Sequence, residues 1–178
     1  MLSNMAENTM RDIKIEKVVL NVGCGTKLKP EIAKTMLEKI SGKKAVITIT
    51  RKRSTFNVPA KKPIGCKVTI RKNTDEFLKR LLEAKEMKLK ERNFDRTGNV
   101  SFGIAEYIDV PGMQYDHTLG ILGFDVSVAL ERKGYRVKKK KLSKKIGKKH
   151  SITREEAMKF VKNKFNIEII SEKGEEEE

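Results

Sequence analysis

The sequence predicts an α+β fold: an antiparallel-rich β-sheet with helices packed on one face, continued by a basic C-terminal extension that carries a helix. Long segments alternate apolar and polar residues with period two, the pattern of strands buried on one face only. Between them lie segments whose apolar residues recur at i, i+4 and i+8, as on amphipathic helices. After residue 135 lysine replaces this patterning. At 178 residues and 20.3 kDa the chain suits one domain with tails.

Residues 1–12 carry no periodicity and read as a flexible N-terminus. IKIEKVVLNVG (13–23) reads as a strand whose alternation shifts phase near Glu16 and Lys17. KPEIAKTMLEKISG reads as a helix with Pro30 near its start, Ile32, Met36 and Ile40 along one face, and Gly42 as its stop. AVITIT (45–50) is strand-like by β-branching. CKVTIR (66–71) is the clearest strand, with Cys66, Val68 and Ile70 facing one way and Lys67, Thr69 and Arg71 the other.

NTDEFLKRLLEAKEMKL (73–89) reads as a helix with an Asn73–Glu76 capping box and a stripe of Phe77, Leu78, Leu81 and Leu82. FDRTGN (94–99) is a loop. VSFGIAEYIDV (100–110) alternates until Glu106, Pro111-Gly112 marks a turn, and FDVSVAL (124–130) alternates again. These elements complete a single domain over 13–135. The extension, 136–170, opens with RVKKKKLSKKIGKKH, whose like charges predict an extended or mobile segment. A helix capped by Thr153 and Glu156 follows, then FNIEII as a final strand, with the whole docked on the sheet. Residues 171–178 form an acidic tail.

Charge carries the functional signal. Arg51–Lys72 and Arg132–Lys149 hold 8 and 11 of the 40 Lys/Arg and none of the 24 acids. Positive charge concentrated in two blocks points to a polyanion partner. The polar face Lys67/Thr69/Arg71 suits phosphates and ribose hydroxyls, although a merely solvated strand face has the same pattern. The adjoining loop, 51–63, is long for a hairpin connection and holds Phe56, an aromatic able to stack on a base. No helix concentrates base-reading residues, which favours structured RNA over duplex DNA. In the second block Arg136, Lys138, Lys139, Lys140, Lys141, Lys144, Lys145, Lys148 and Lys149 are candidates for further RNA contacts.

Other function classes fit poorly. GNVSFGIAEYI has a faint likeness to an RNA-recognition-motif strand but lacks its opening Lys/Arg-Gly and paired aromatics. Gly23-Cys24-Gly25 lacks the third glycine and the Gly-Lys-Ser/Thr of phosphate loops and reads as a tight turn. Asp109, Asp116 and His117 have no recognisable nucleophile motif beside them, so no catalytic residues are assigned. Cys24 and Cys66 read as buried free thiols, and with only two histidines, His117 and His150, no metal site or other cofactor is expected. No apolar run is long enough for a membrane helix and the N-terminus lacks a signal-peptide core, so a soluble, intracellular, cytoplasmic protein without a membrane partner is expected. Two rivals remain: a free-standing tRNA- or mRNA-binding factor, and an RNA-processing enzyme for which no carboxylate cluster or His/Lys pair can be assembled.

The motifs IEKVVLNVGCG, ISGKKAVITITRKR, PIGCKVTIR, NFDRTGNVSFGIAEY and LGILGFDVSVAL, colinear over roughly residues 12 to 135, resemble the family of the fifth protein of the large ribosomal subunit. The length and the basic 136–150 extension resemble its archaeal branch. The resemblance implies a non-enzymatic protein of the central protuberance with one sheet face on 5S rRNA. By motif match it implies rRNA contacts at Asn21, Lys43 and Thr69, and Gly23, Gly25, Thr48, Arg51, Lys67 and Arg71 join them as rRNA-binding candidates. It also implies a loop reaching P-site tRNA through Arg53, Ser54, Thr55, Phe56, Asn57, Lys61 and Lys62. Implied partners are large-subunit rRNA, the eighteenth large-subunit protein, and a small-subunit head protein at an intersubunit bridge formed by the Asp95–Phe102 region and the 111–121 turn.

Overall fold

A computed structural model of the chain describes residues 8–25, 28–53 and 58–170. It contains a five-stranded antiparallel sheet in the order β2-β3-β1-β6-β5 and a two-stranded parallel pair, β4-β7. The strands are β1 (Ile13–Gly23), β2 (Val46–Ile49), β3 (Pro63–Ile70), β4 (Lys88–Lys90), β5 (Val100–Ile104), β6 (Phe124–Arg132) and β7 (Glu168–Ile170). The helices are α1 (Pro30–Ser41), α2 (Thr74–Glu83), the short α3 (Arg136–Lys139) and α4 (Arg154–Phe165).

The central strand, β1, is as long as its alternation predicts. The phase shift is a β-bulge: Ile15 pairs with Leu130 and Lys17 with Ala129, leaving Glu16 as the extra residue. Ile15 before the bulge and Val18, Leu20 and Val22 after it all reach the core side. On the same side lie Cys66, Val68 and Ile70 of β3, Phe124, Val126 and Val128 of β6, and Val100, Phe102 and Ile104 of β5. Helix α1 covers them with Ala33, Met36, Leu37 and Ile40, and α2 with Leu78, Leu81 and Leu82. Each fully buried leucine contributes about 2 kcal/mol of transfer free energy. Gly42 closes α1 in the left-handed conformation at φ 62°.

Gly65 is fixed by a close approach of strands. A Cβ there would lie 2.5 Å from the Val22 carbonyl oxygen, a distance no side chain tolerates.

Three local expectations are corrected. Asn73 sits at φ 53° and its side chain caps nothing, so the Asn73–Glu76 capping box does not form. Helix α2 stops at Glu83 instead of running to residue 89, because Glu86 and Met87 turn the chain at φ 55° and 58°. Lys88–Lys90 then pairs with Glu168–Ile170, and this partner about eighty residues away outweighs local helix propensity. The start of the second basic block is not wholly extended: Arg136–Lys139 forms one helical turn, held by ion pairs from Lys139 to Glu16 at 2.7 Å and Glu131 at 2.9 Å. Near the N-terminus, Thr9–Arg11 forms a single turn capped by Asn8.

The extension docks as expected. Thr153 and Glu156 form both halves of a capping box, and Ile152, Ala157, Val161, Phe165 and Ile167 sink into the core. Gly98, at φ 79°, receives this segment; a Cβ on it would stand 2.5 Å from Cγ2 of Ile152.

Candidate RNA interface

With the helices on one side, the other side of the sheet stays uncovered along its β3–β1 half. Strand register places the polar residues of neighbouring strands in rows. Val46 of β2, Lys67 of β3, Asn21 of β1 and Asp125 of β6 make one row. Thr69, Val19, Ser127 and Ser101 make the next. Directly opposed residues in antiparallel strands stand about 4.5–5.5 Å apart, so Lys67 and Asn21 act as one donor group. Lys67, Arg71 and Asn21 are exposed and Thr69 is half-buried.

A third row, Thr48, Gly65 and Gly23, ends the face. Gly65 is buried against the Val22 carbonyl and Thr48, but Gly23 is exposed and a Cβ on it would meet nothing within 4 Å. A nucleic-acid backbone can therefore approach the sheet closely here. Gly25 follows at φ 54°, exposed. Lys43 lies apart from the rows, in the α1–β2 turn, where its N–H donates to Ser41 Oγ at 3.2 Å.

The basic loop continues the β2–β3 hairpin before leaving it. The Lys61 N–H donates to the Thr50 carbonyl at 2.8 Å, and the Thr50 N–H to the Lys62 carbonyl at 2.9 Å. Arg51, Arg53, Lys61 and Lys62 are exposed at its base. Ser54, Thr55, Phe56 and Asn57 lie outside the described residues, as do 171–178.

The sequence reading missed one wall of this face. Beyond Asn21 the floor continues through Ser101, Gly103, Asp125 and Ser127 into a groove of about 930 Å³. Lys85 of the α2–β4 turn, Lys88 of β4 and Arg92 just after it form its side. Asp125 and Ser127 were findable from the alternation of β6; the lysines were not, because their place depends on where α2 stops.

At the far end stands the second basic block. Burial pushes the Glu131 carboxyl up, but hydrogen bonds from Lys139 and Lys14 outweigh it and hold it below its ordinary range. Burial likewise works against the Lys139 charge, and its bonds to Glu16 and Glu131 more than restore it. Arg136, Lys138, Lys140, Lys141, Lys144, Lys145, Lys148 and Lys149 enter no ion pair among the described residues and are exposed. Away from both blocks, the 111–121 turn is pinned to α1 by Lys39 and Asp116 at 2.5 Å, and the Asp116 N–H donates to the Tyr107 hydroxyl at 2.8 Å. The Lys39 and Thr118 hydrogen bonds hold the Asp116 carboxyl far below the usual carboxylate range. Tyr115 and Ile121 are left exposed on this turn.

Cys24 and Cys66 are buried free thiols, and burial raises both, Cys66 to about 11. Among the described residues no group of His, Cys, Asp and Glu is arranged to hold a metal.

Comparison with known proteins decides the family. The family model described as ribosomal protein L5 matches residues 8–56, and the one describing the C-terminus of the same ribosomal family matches residues 63–160. The chain belongs to the ribosomal protein L5 family. Membership makes it a structural, non-enzymatic component of the cytoplasmic ribosome. Relatives named large ribosomal subunit protein uL5 include that of Sulfolobus acidocaldarius, 42% identical over 168 residues, 92% of this chain and 94% of the relative. That of Cenarchaeum symbiosum is 45% identical over 165 residues, 90% and 98% of the two chains. That of Methanococcoides burtonii is 42% identical over 166 residues, 91% and 98%. Similarity to these relatives agrees with the archaeal branch and extends through the basic extension of this L5-family chain.

Proposed function

We propose that the uncovered sheet face docks 5S rRNA and holds it in the central protuberance of the large subunit. The observation that carries this reading is the Lys67–Asn21 row beside Thr69 and the exposed Gly23 backbone, on the side of the sheet opposite α1 and α2. Paired donors with close backbone access suit an RNA helix read by its phosphates and 2′-hydroxyls, while the flanking cations supply attraction. In this reading 13–135 is the RNA-binding unit and 136–170 an accessory arm touching large-subunit rRNA. The 51–63 loop reaches P-site tRNA. The Asp95–Phe102 region and the pinned 111–121 turn face a protein of the small-subunit head, and the eighteenth large-subunit protein shares the 5S rRNA.

The deciding experiment is a gel-shift competition of the purified chain on 5S rRNA against equimolar tRNA at near-physiological salt. Tight binding that tRNA fails to displace is the expected result. Equal displacement would make the chain a charge-driven RNA binder without 5S selectivity.

A further inference from the structure

At the α3 end of the sheet, around the bulge of β1, lies a second concavity of about 820 Å³. Sites for small ligands span roughly 300–1,000 Å³, so it has room for a compact group. Ala129, Leu130, Tyr135, Ile146 and Ile152 give it carbon walls. Arg96, Lys138, Lys144 and Lys145 line it with charge.

The acids of this site are already neutralised. Lys139 pairs with Glu16 at 2.7 Å and Glu131 at 2.9 Å, and Lys14 reaches Glu131 at 3.2 Å. Of the other cations in the lining, Lys17 reaches Glu16 at 3.7 Å, while Arg96, Lys138, Lys144 and Lys145 pair with no carboxylate among the described residues. Tyr135 is likewise committed at its polar end: its hydroxyl donates to the His150 carbonyl at 3.1 Å and accepts from the Ile152 N–H at 3.0 Å. Its ring stands edge-on to His150 with centroids 5.7 Å apart, so what it offers a ligand is a fixed apolar surface.

A matching ligand needs an apolar planar part and negative charge next to it. Inorganic phosphate lacks the first. An RNA duplex has its bases stacked inside and presents chiefly phosphates and riboses. An unpaired nucleotide brings both parts. We propose that this concavity receives one unpaired nucleotide of the bound RNA, its base against Tyr135 and Ile146 and its phosphates between Arg96, Lys138, Lys144 and Lys145. The inference rests on the chain being an RNA binder, but not on 5S rRNA being the RNA or on the Asn21 row.

The test is NMR of the full chain labelled at isoleucine methyls. It is titrated with a single-stranded RNA tetranucleotide, with a blunt RNA duplex and with inorganic phosphate. Saturable shifts of Ile146 and Ile152 with the single strand are expected, with far smaller ones from the other two. The exposed pair Lys144→Gln/Lys145→Gln should weaken that response about tenfold, as removal of charge-assisted phosphate bonds requires. Equal response to duplex or phosphate, or no response, overturns the proposal. The Asn21→Ala/Thr69→Val variant separates the two readings: it should keep the tetranucleotide response while losing 5S rRNA. A wild-type chain that binds the tetranucleotide here but shows no 5S preference sinks only the sheet-face reading.

Discussion

Arg132, at the end of β6 and 4% exposed, donates through Nη2 to Glu156 Oε1 of α4 at 2.8 Å. Its Nη1 also faces the His150 and Ser151 carbonyls at 3.3 and 3.4 Å. The pair joins the sheet to the capping box of the extension, so a single guanidinium fixes where the second basic block begins and ends. Its two halves are not equivalent. Glu156 is partly exposed and can rehydrate, whereas Arg132 cannot. Glu156→Ala, which leaves a buried charge without its counter-ion, should therefore cost about 3 kcal/mol, and Arg132→Met about 1 kcal/mol. Urea denaturation of the full chain measures both, and the reverse ranking would refute the argument.

Acid should loosen the same junction. Burial alone pushes the Glu156 carboxyl up, but bonds from the Thr153 backbone and Arg132 leave it below its ordinary 4.5 when folded. A lowered folded pKa contributes stability that is full above about 4.5 and disappears as the pH falls through the folded value. Glu131 behaves alike. Melting temperature should therefore fall between about pH 5 and pH 3, and the Glu131→Gln/Glu156→Gln variant should show a shallower fall from a lower starting point.

Two glycines of one row should respond in opposite ways. Gly65→Ala forces a methyl against the Val22 carbonyl and should destabilise by about 3 kcal/mol or more. Gly23→Ala points into open space and should fold normally, yet weaken 5S rRNA binding if RNA backbone lies on that shelf. Thermal melts and gel shifts on both variants check this.

The sheet face and the loop should divide their labour. Asn21→Ala with Thr69→Val should lower 5S rRNA affinity about tenfold or more without moving the melting temperature. Lys61→Ala with Lys62→Ala should spare 5S rRNA affinity and lower tRNA occupancy on assembled ribosomes. Every cation withdrawn from a phosphate should flatten the log–log salt dependence by about 0.7–0.9. A large 5S defect from the loop variant would contradict the division.

The two thiols should be inert in the native chain. Burial lifts Cys66 to about 11, so at about pH 8 almost none of it is thiolate. Ellman's reagent should react slowly at native conditions and rapidly in denaturant. Fast native labelling would place the β1–β3 end in a more open state.

Period-two alternation alone assigned the faces of β1, β3, β5 and β6, because a strand with one side in the core writes its orientation into every second residue. The same regularity exposed the β1 bulge as a break in phase at Glu16, and it isolated Lys67, Thr69 and Arg71 as an outward face. The ends of elements were less legible. Asn73 has the right spacing for a cap but its backbone is left-handed, and α2 stops short because β4 has a partner in β7. Charge in the second block was visible as a number; that Lys139 is consumed by Glu16 and Glu131, and that Lys138, Lys144 and Lys145 stay unpaired around a concavity shared with Arg96, was not. Local sequence determines an element's type and its buried face, since both follow from neighbours a few residues away. Only the tertiary structure decides the distant pairings, because their energies depend on residues that the chain brings together from eighty to more than a hundred positions apart.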